Sequence, residues 1–175
     1  MTLPARGAPA FSASFAATAE AHLDDVYGYL VYLTRDRTLA EDLAAETFEK
    51  ALKLWKRFDP RRASARTWLC QIARTTALDW FRSEERRRRR EEAVAQSDKT
   101  LADVSEAAMP EGLSHELQTA LASLSAGERE VIALRVLLEL DGEEAARVLG
   151  ISPTAVSTRL SRALTKLEER MTVHV

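Results

Sequence analysis

Helical periodicity runs through most of this chain but stops between Glu91 and Gly112, and that gap limits what the chain can fold into. The stretch is rich in Glu, Asp, Ser and Ala and closes with Pro110 and Gly112, so it reads as an acidic linker outside any core. Each flank is too short for a large enzyme domain and must close a small core of its own. Only six Gly and five Pro occur in 175 residues, too few for the turns of an all-β chain. The expected fold class is all-α: two small helical domains, a bundle and a helix-turn-helix, joined by a flexible acidic linker. The expected boundaries are a mobile arm over 1–14, a first domain over 15–90, the linker over 91–112 and a second domain over 113–175.

Three- and four-residue apolar steps place the helices. A first helix is expected from about Phe15 to Leu33, with Leu23, Val26, Tyr27, Leu30 and Leu33 inward. Thr38 and Glu41 have the spacing of a capping box and would open a second helix. Its inward stripe would be Leu39, Leu43, Phe48, Leu52 and Trp55. Pro60 disfavours helix before it, so 58–64 reads as a loop. Ser64 can then cap a third helix to about Arg90, burying Leu69, Ile72, Ala73, Thr76 and Trp80. The second domain reads as four short helices. Leu117, Leu121 and Leu124 mark the first, and boxes at Ser125–Glu128 and Asp141–Glu144 open the next two. Gly150 suits a left-handed stop, Ser152 a cap and Pro153 a first helical position. The last helix would turn Val156, Leu160, Ala163, Leu164 and Leu167 inward.

The net charge of −2 conceals a strong asymmetry: residues 53–90 carry +9, whereas 1–52 carry −4 and 91–116 carry −6. A cationic block in an acidic chain is the footprint of a protein that meets polyanions. The single Cys70 excludes an internal disulfide framework, and His22, His115 and His174 show no ligand spacing. No Gly-rich phosphate loop or nucleophile–base pair is visible, so neither catalysis nor a cofactor is expected. No long apolar run and no secretion-signal pattern is present, so the expected location is the cytoplasm, without membrane insertion.

The segment 143–169 has the spacing of a DNA-reading helix-turn-helix, whose second helix enters the major groove. Ala145 and Ala146 are small where the two helices would cross, and Ile151 and Val156 can fill the crease. Thr154, Ser157, Thr158, Ser161, Arg162 and Lys166 fall on the outer face. Short hydroxyls let a helix sit deep in a groove, and Arg159, Arg162 and Lys166 can neutralise phosphates.

Three stretches together resemble a bacterial RNA polymerase sigma factor of the sigma-70 family, extracytoplasmic-function group. Residues 39–51 are similar to that family's polymerase-docking helix, 65–82 to its promoter-opening helix, and 124–131 with the helix-turn-helix to its upstream-element reader. The resemblance implies that 15–90 is sigma domain 2 and 113–175 sigma domain 4. Asp42, Glu46, Phe48 and Glu49 would then bind core polymerase at the β′ clamp helices, with the β subunit a further partner. Arg61, Arg62, Arg66, Trp68, Arg74 and Thr75 would hold the melted minus-ten strand, where cationic tracking and stacking surfaces are needed. Thr75 falls where many relatives carry Asn, and it offers one hydroxyl in place of an amide. Thr154, Ser157, Thr158, Arg159, Arg162 and Lys166 would read double-stranded minus-thirty-five DNA, with Ser157 where relatives often carry Lys. The resemblance also implies an anti-sigma factor as a partner and no catalysis by the chain itself. A stand-alone helix-turn-helix regulator of duplex DNA is the alternative, but a sensor domain has no need of the +9 block.

Overall fold

The computed structural model describes residues 10–95 and 115–172, and all the regular structure among them is helical. Helices α1 (Ala10–Thr34), α2 (Arg37–Leu54) and α3 (Ala65–Ala95) form the first lobe. Helices α4 (His115–Ala122), α5 (Ala126–Ile132), α6 (Gly142–Leu149) and α7 (Pro153–Thr172) form the second. Residues 1–9 of the expected arm and 96–112 of the expected linker lie outside the described residues. No helix among the described residues is long and apolar enough to cross a membrane.

In the first lobe, α1 begins at Ala10, five residues before the expected start, and buries Val26, Tyr29, Leu30, Val31 and Tyr32. Leu23, assigned inward by spacing, is 49% exposed. The cap of α2 is Asp36, not Thr38: its side chain accepts from Leu39 N–H at 3.0 Å. Arg35 takes a left-handed φ of 56° to turn the chain into that cap. A carboxylate at Asp36 reaches the third helical N–H without any partner glutamate, so it captures the helix start two residues early. Against its neighbours α2 buries mostly small residues, Ala40, Leu43, Ala44, Thr47 and Ala51, and leaves Leu52 outside. Small residues let α1 and α3 approach α2 closely. A 3-10 turn over Trp55–Arg57 ends α2. Ser64 Oγ accepts from Thr67 N–H at 3.2 Å and starts α3, which runs past Arg90 to Ala95 on i,i+3 and i,i+4 Arg–Glu pairs. Leu69, Cys70, Ala73, Thr76 and Ala77 are its buried face, while Ile72 and Trp80 are only half-buried.

In the second lobe both capping boxes form as their spacing dictates: Ser125 with Glu128 opens α5 and Asp141 with Glu144 opens α6. The helix expected to run on to Leu138 instead widens after Ile132, where Leu138 N–H bonds Ala133 C=O five residues back. That wider turn buries Ala133 and Leu134 and pushes Val136 and Leu137 outward. Gly150 closes α6 at φ 66°, ψ 33°, and Ser152 Oγ accepts from Ala155 N–H at 3.1 Å to start α7. Ala145, Ala146 and Val156 are buried in the crossing; Leu164, expected inward, is 47% exposed.

The lobes pack directly together, α3 against α6 and α1 against α5. Glu130 of α5 is buried at the junction. Tyr29 OH and Arg74 Nε both donate to its Oε1, at 2.9 and 2.7 Å. Burial first, and the Glu130 carboxylate next, push the Tyr29 phenol well above its ordinary range.

Candidate polymerase and nucleic-acid interfaces

The loop between α2 and α3 is held by aromatic packing. Phe58 stacks on Trp55 at 5.0 Å between ring centroids and packs against Trp68 at the same distance, and Phe15 meets Trp55 edge-on at 5.3 Å. This cluster fixes both ends of a loop whose tip stays in solvent. Arg61 and Arg62 sit on that tip, with Arg62 89% exposed and Asp59 beside both. Trp68 is half-buried, so one part of its ring belongs to the cluster and the rest is accessible.

Along α3 the other expected minus-ten residues occupy different surroundings. Arg66 lies 3.8 Å from Asp25 of α1. Thr75 is exposed and its hydroxyl donates to Gln71 C=O at 2.9 Å. Arg74 is turned into the junction on Glu130. The loop arginines and Thr75 are therefore presented to solvent, while Arg74 is occupied by the other lobe.

On α2, Asp42, Glu46 and Glu49 share one outward face at three- and four-residue steps. Glu46 pairs with Lys50 at 2.7 Å and Glu49 with Lys53 at 2.5 Å. Phe48 is half-buried at the border of that face. Leu52 stands three residues beyond Glu49 and is 54% exposed, an apolar element of the face that spacing had assigned to the core. Leu52 stands between Ala51 and Lys53, neighbours that carry no local signal of which side it takes.

On α7, Thr154, Ser157, Thr158 and Arg162 are exposed. The N-termini of α5 and α7 converge on a cleft of about 630 Å³ lined by Ser125, Ser152, Thr154, Thr158 and Arg162. Arg159 lies across the start of α5, where a side chain at Gly127 would come 3.2 Å from its guanidinium. Lys166 bonds Glu128 at 2.6 Å and ties the middle of α7 to the α5 capping box. That ammonium, followed by the Ser125 N–H, holds the Glu128 carboxyl down to about 2.

An exposed cationic loop before one helix and a hydroxyl-faced helix-turn-helix reader on a second lobe are an arrangement shared with known proteins. Residues 18–87 match the family model Sigma-70 region 2, and residues 114–167 match Sigma-70, region 4. The extracytoplasmic-function RNA polymerase sigma factor SigX of Bacillus subtilis is 32% identical over 154 residues, covering 84% of this chain and 78% of its own. The chain belongs to the sigma-70 family, in its extracytoplasmic-function group. The sigma factor YlaC of the same organism is 33% identical, over 86% of this chain and 88% of its own. The solved sigma factor RpoE of Bartonella quintana, in complex with the anti-sigma factor NepR, matches this sigma factor with a TM-score of 0.68 at 25% identity. That match covers 93% of this chain and 99% of the other. CnrH, solved with the cytosolic domain of CnrY, matches with a TM-score of 0.66 at 26% identity over 94% and 91%. This sigma factor is thus a promoter-recognising specificity subunit of RNA polymerase, and the stand-alone regulator is not favoured.

Proposed function

We propose that the two lobes divide promoter recognition between melted and paired DNA, with α2 as the polymerase dock. Asp42, Glu46 and Glu49 present carboxylates to basic groups of the polymerase clamp, and Phe48 and Leu52 add apolar area beside them. The pinned loop places Arg61 and Arg62 where an unpaired strand leaves the duplex. Arg66 and the accessible part of Trp68 continue that path, and Thr75 offers a hydroxyl to a flipped base. Nothing here breaks a bond: opening is driven by holding single strands more tightly than the duplex. On the second lobe, Thr154, Ser157, Thr158 and Arg162 face the major groove of the minus-thirty-five element. Arg159 and Lys166 support phosphate contacts at its walls. The chain acts in the cytoplasm as a non-catalytic subunit.

An anti-sigma factor is a third partner. A groove of about 650 Å³ runs between the lobes, lined by Tyr27, Tyr32, Val136, Leu137, Leu164 and Leu167. The Tyr32 hydroxyl is buried there without a hydrogen-bond partner, and burial pushes its pKa upward. An apolar helix with a polar group for Tyr32 fits such a groove.

The observation that carries the division of labour is the aromatic cluster, which immobilises the ends of the 58–64 loop while leaving its arginines in solvent. Arg61→Ala with Arg62→Ala should lower promoter opening, read by permanganate reactivity of the minus-ten thymines, about tenfold. Binding of holoenzyme to duplex minus-thirty-five DNA should change about twofold or less. Equal loss in both assays refutes the division.

A further inference from the structure

A run of five arginines, Arg86 to Arg90, lies near the end of α3, well beyond the expected minus-ten residues. From Arg82 to Glu92 every side chain is exposed except the half-buried Glu84 and Glu85, so this part of the helix projects into solvent. Its charges are sorted by face. Thr75, Arg82, Arg86 and Arg90 follow one another at seven- and four-residue steps and share one side of the helix. Glu84, Glu85, Glu91 and Glu92 fall on the other side, where they engage Arg87, Arg88 and Arg89. Arg82 meets Asp79 at 3.4 Å. Among the described residues neither Arg86 nor Arg90 meets a carboxylate, and Arg90 Nε donates to Arg86 C=O at 3.2 Å. A helix that needed only internal pairing would distribute its glutamates among all its arginines. Here one side is paired and the other is left as a cationic strip in line with Thr75.

We infer that Arg82, Arg86 and Arg90 form a phosphate rail for the double-stranded DNA upstream of the minus-ten element. The inference rests on the reading of Thr75 as the residue that faces a flipped base. Arg86 and Arg90 stand about 16 and 22 Å from Thr75 along the helix axis. At about 3.4 Å per base pair, that reach spans about five to seven base pairs of duplex. The direction follows from the order of the chain. Helix α3 leads into the second lobe, and the second lobe reads the element farther upstream, so the far end of α3 points upstream. Guanidiniums grip phosphate oxygens through paired N–H donors and read no bases there, so the rail adds affinity without sequence preference. Arg90 stands past residue 87, where the matched family segment ends, so the far end of the rail lies outside that segment.

The test compares two charge-matched variants in holoenzyme: Arg86→Gln with Arg90→Gln, and Arg87→Gln with Arg88→Gln. All four arginines are exposed and Gln is a good helix former, so α3 persists in both. The probe is a fork template from a promoter that the wild-type holoenzyme uses. It joins the single-stranded minus-ten element to about three or about twelve base pairs of upstream duplex, both too short to reach the minus-thirty-five element. On the long fork the Arg86/Arg90 variant should bind about tenfold more weakly at about 0.1 M salt, with a log–log salt slope shallower by about two. On the short fork it should stay within about twofold of wild type, as the Arg87/Arg88 variant should on both forks. Equal loss for the two variants overturns the rail, because net charge alone would then account for the effect. Equal loss on the two forks also overturns it and assigns the strip to a protein surface of the polymerase. An Arg86/Arg90 variant unchanged on the long fork overturns the rail alone. If wild-type holoenzyme opens no promoter, the minus-ten reading falls and the rail falls with it.

Discussion

The turn of the helix-turn-helix depends on one backbone conformation, and a pair of glycines isolates its cost. Gly150 ends α6 at φ 66°, whereas Gly142, at the start of the same helix, has no positive φ. A Cβ built at either position meets nothing within 4 Å, so neither alanine collides with a neighbour. Both substitutions remove similar freedom from the unfolded chain, stabilising by about 0.4–1 kcal/mol. Only Gly150→Ala must hold an L-residue in the left-handed region, at about 1–2 kcal/mol. The two variants should therefore differ by about 1–2 kcal/mol, with Gly142→Ala neutral or slightly stabilised. For a chain of this length that corresponds to about 2–4 °C in Tm per kcal/mol. Urea and thermal unfolding of the full chain, followed by circular dichroism, measure the difference. Gly150→Asn should fall between the two, since Asn tolerates this region better than Ala. If Gly150→Ala proves as stable as Gly142→Ala, the account of the turn is wrong.

Two further outcomes follow from titrating groups. The folded Glu128 carboxyl titrates at about 2, below its ordinary value of 4.5, so its contribution is full above about pH 4.5 and lost as pH falls toward 2. Lys166→Met removes the largest cause, so the Glu128 midpoint, followed by carboxyl NMR, should rise toward the ordinary value; an unmoved midpoint contradicts the pairing. Burial, with Asp25 adding to it, pushes the Cys70 thiol up to about 12. Native protein at pH 8 should resist an aromatic disulfide reagent and react fully once unfolded; rapid native labelling would contradict that packing.

How much of this was legible in the sequence follows from the range of each interaction. The Ser125 and Asp141 capping boxes, the Gly150 stop and the Ser152 cap span three or four residues, so spacing specifies them fully. The start of α2 is ambiguous in sequence because two caps compete there: Thr38–Glu41 matches the box pattern, but Asp36 needs only a backbone N–H. On α2 the packing residues are mostly small, and spacing of large apolar residues does not find them. Ala40, Ala44, Thr47 and Ala51 form its seam together with Leu43, while the larger Leu52 faces outward. The loop arginines and the outer face of α7 lie where the sequence suggested. The junction was not legible, since Arg74 and Glu130 are 56 residues apart and Thr67 and Glu144 are 77 apart, with no local pattern linking them.

Reconstituted transcription decides whether this chain directs polymerase to promoters. Core polymerase lacking any sigma factor is combined with this protein on a promoter library, and start sites are mapped. The expected result is equimolar co-assembly and initiation from promoters with two elements, abolished when either element is scrambled. Failure to co-elute with core enzyme at low ionic strength, or initiation indifferent to both elements, would contradict it.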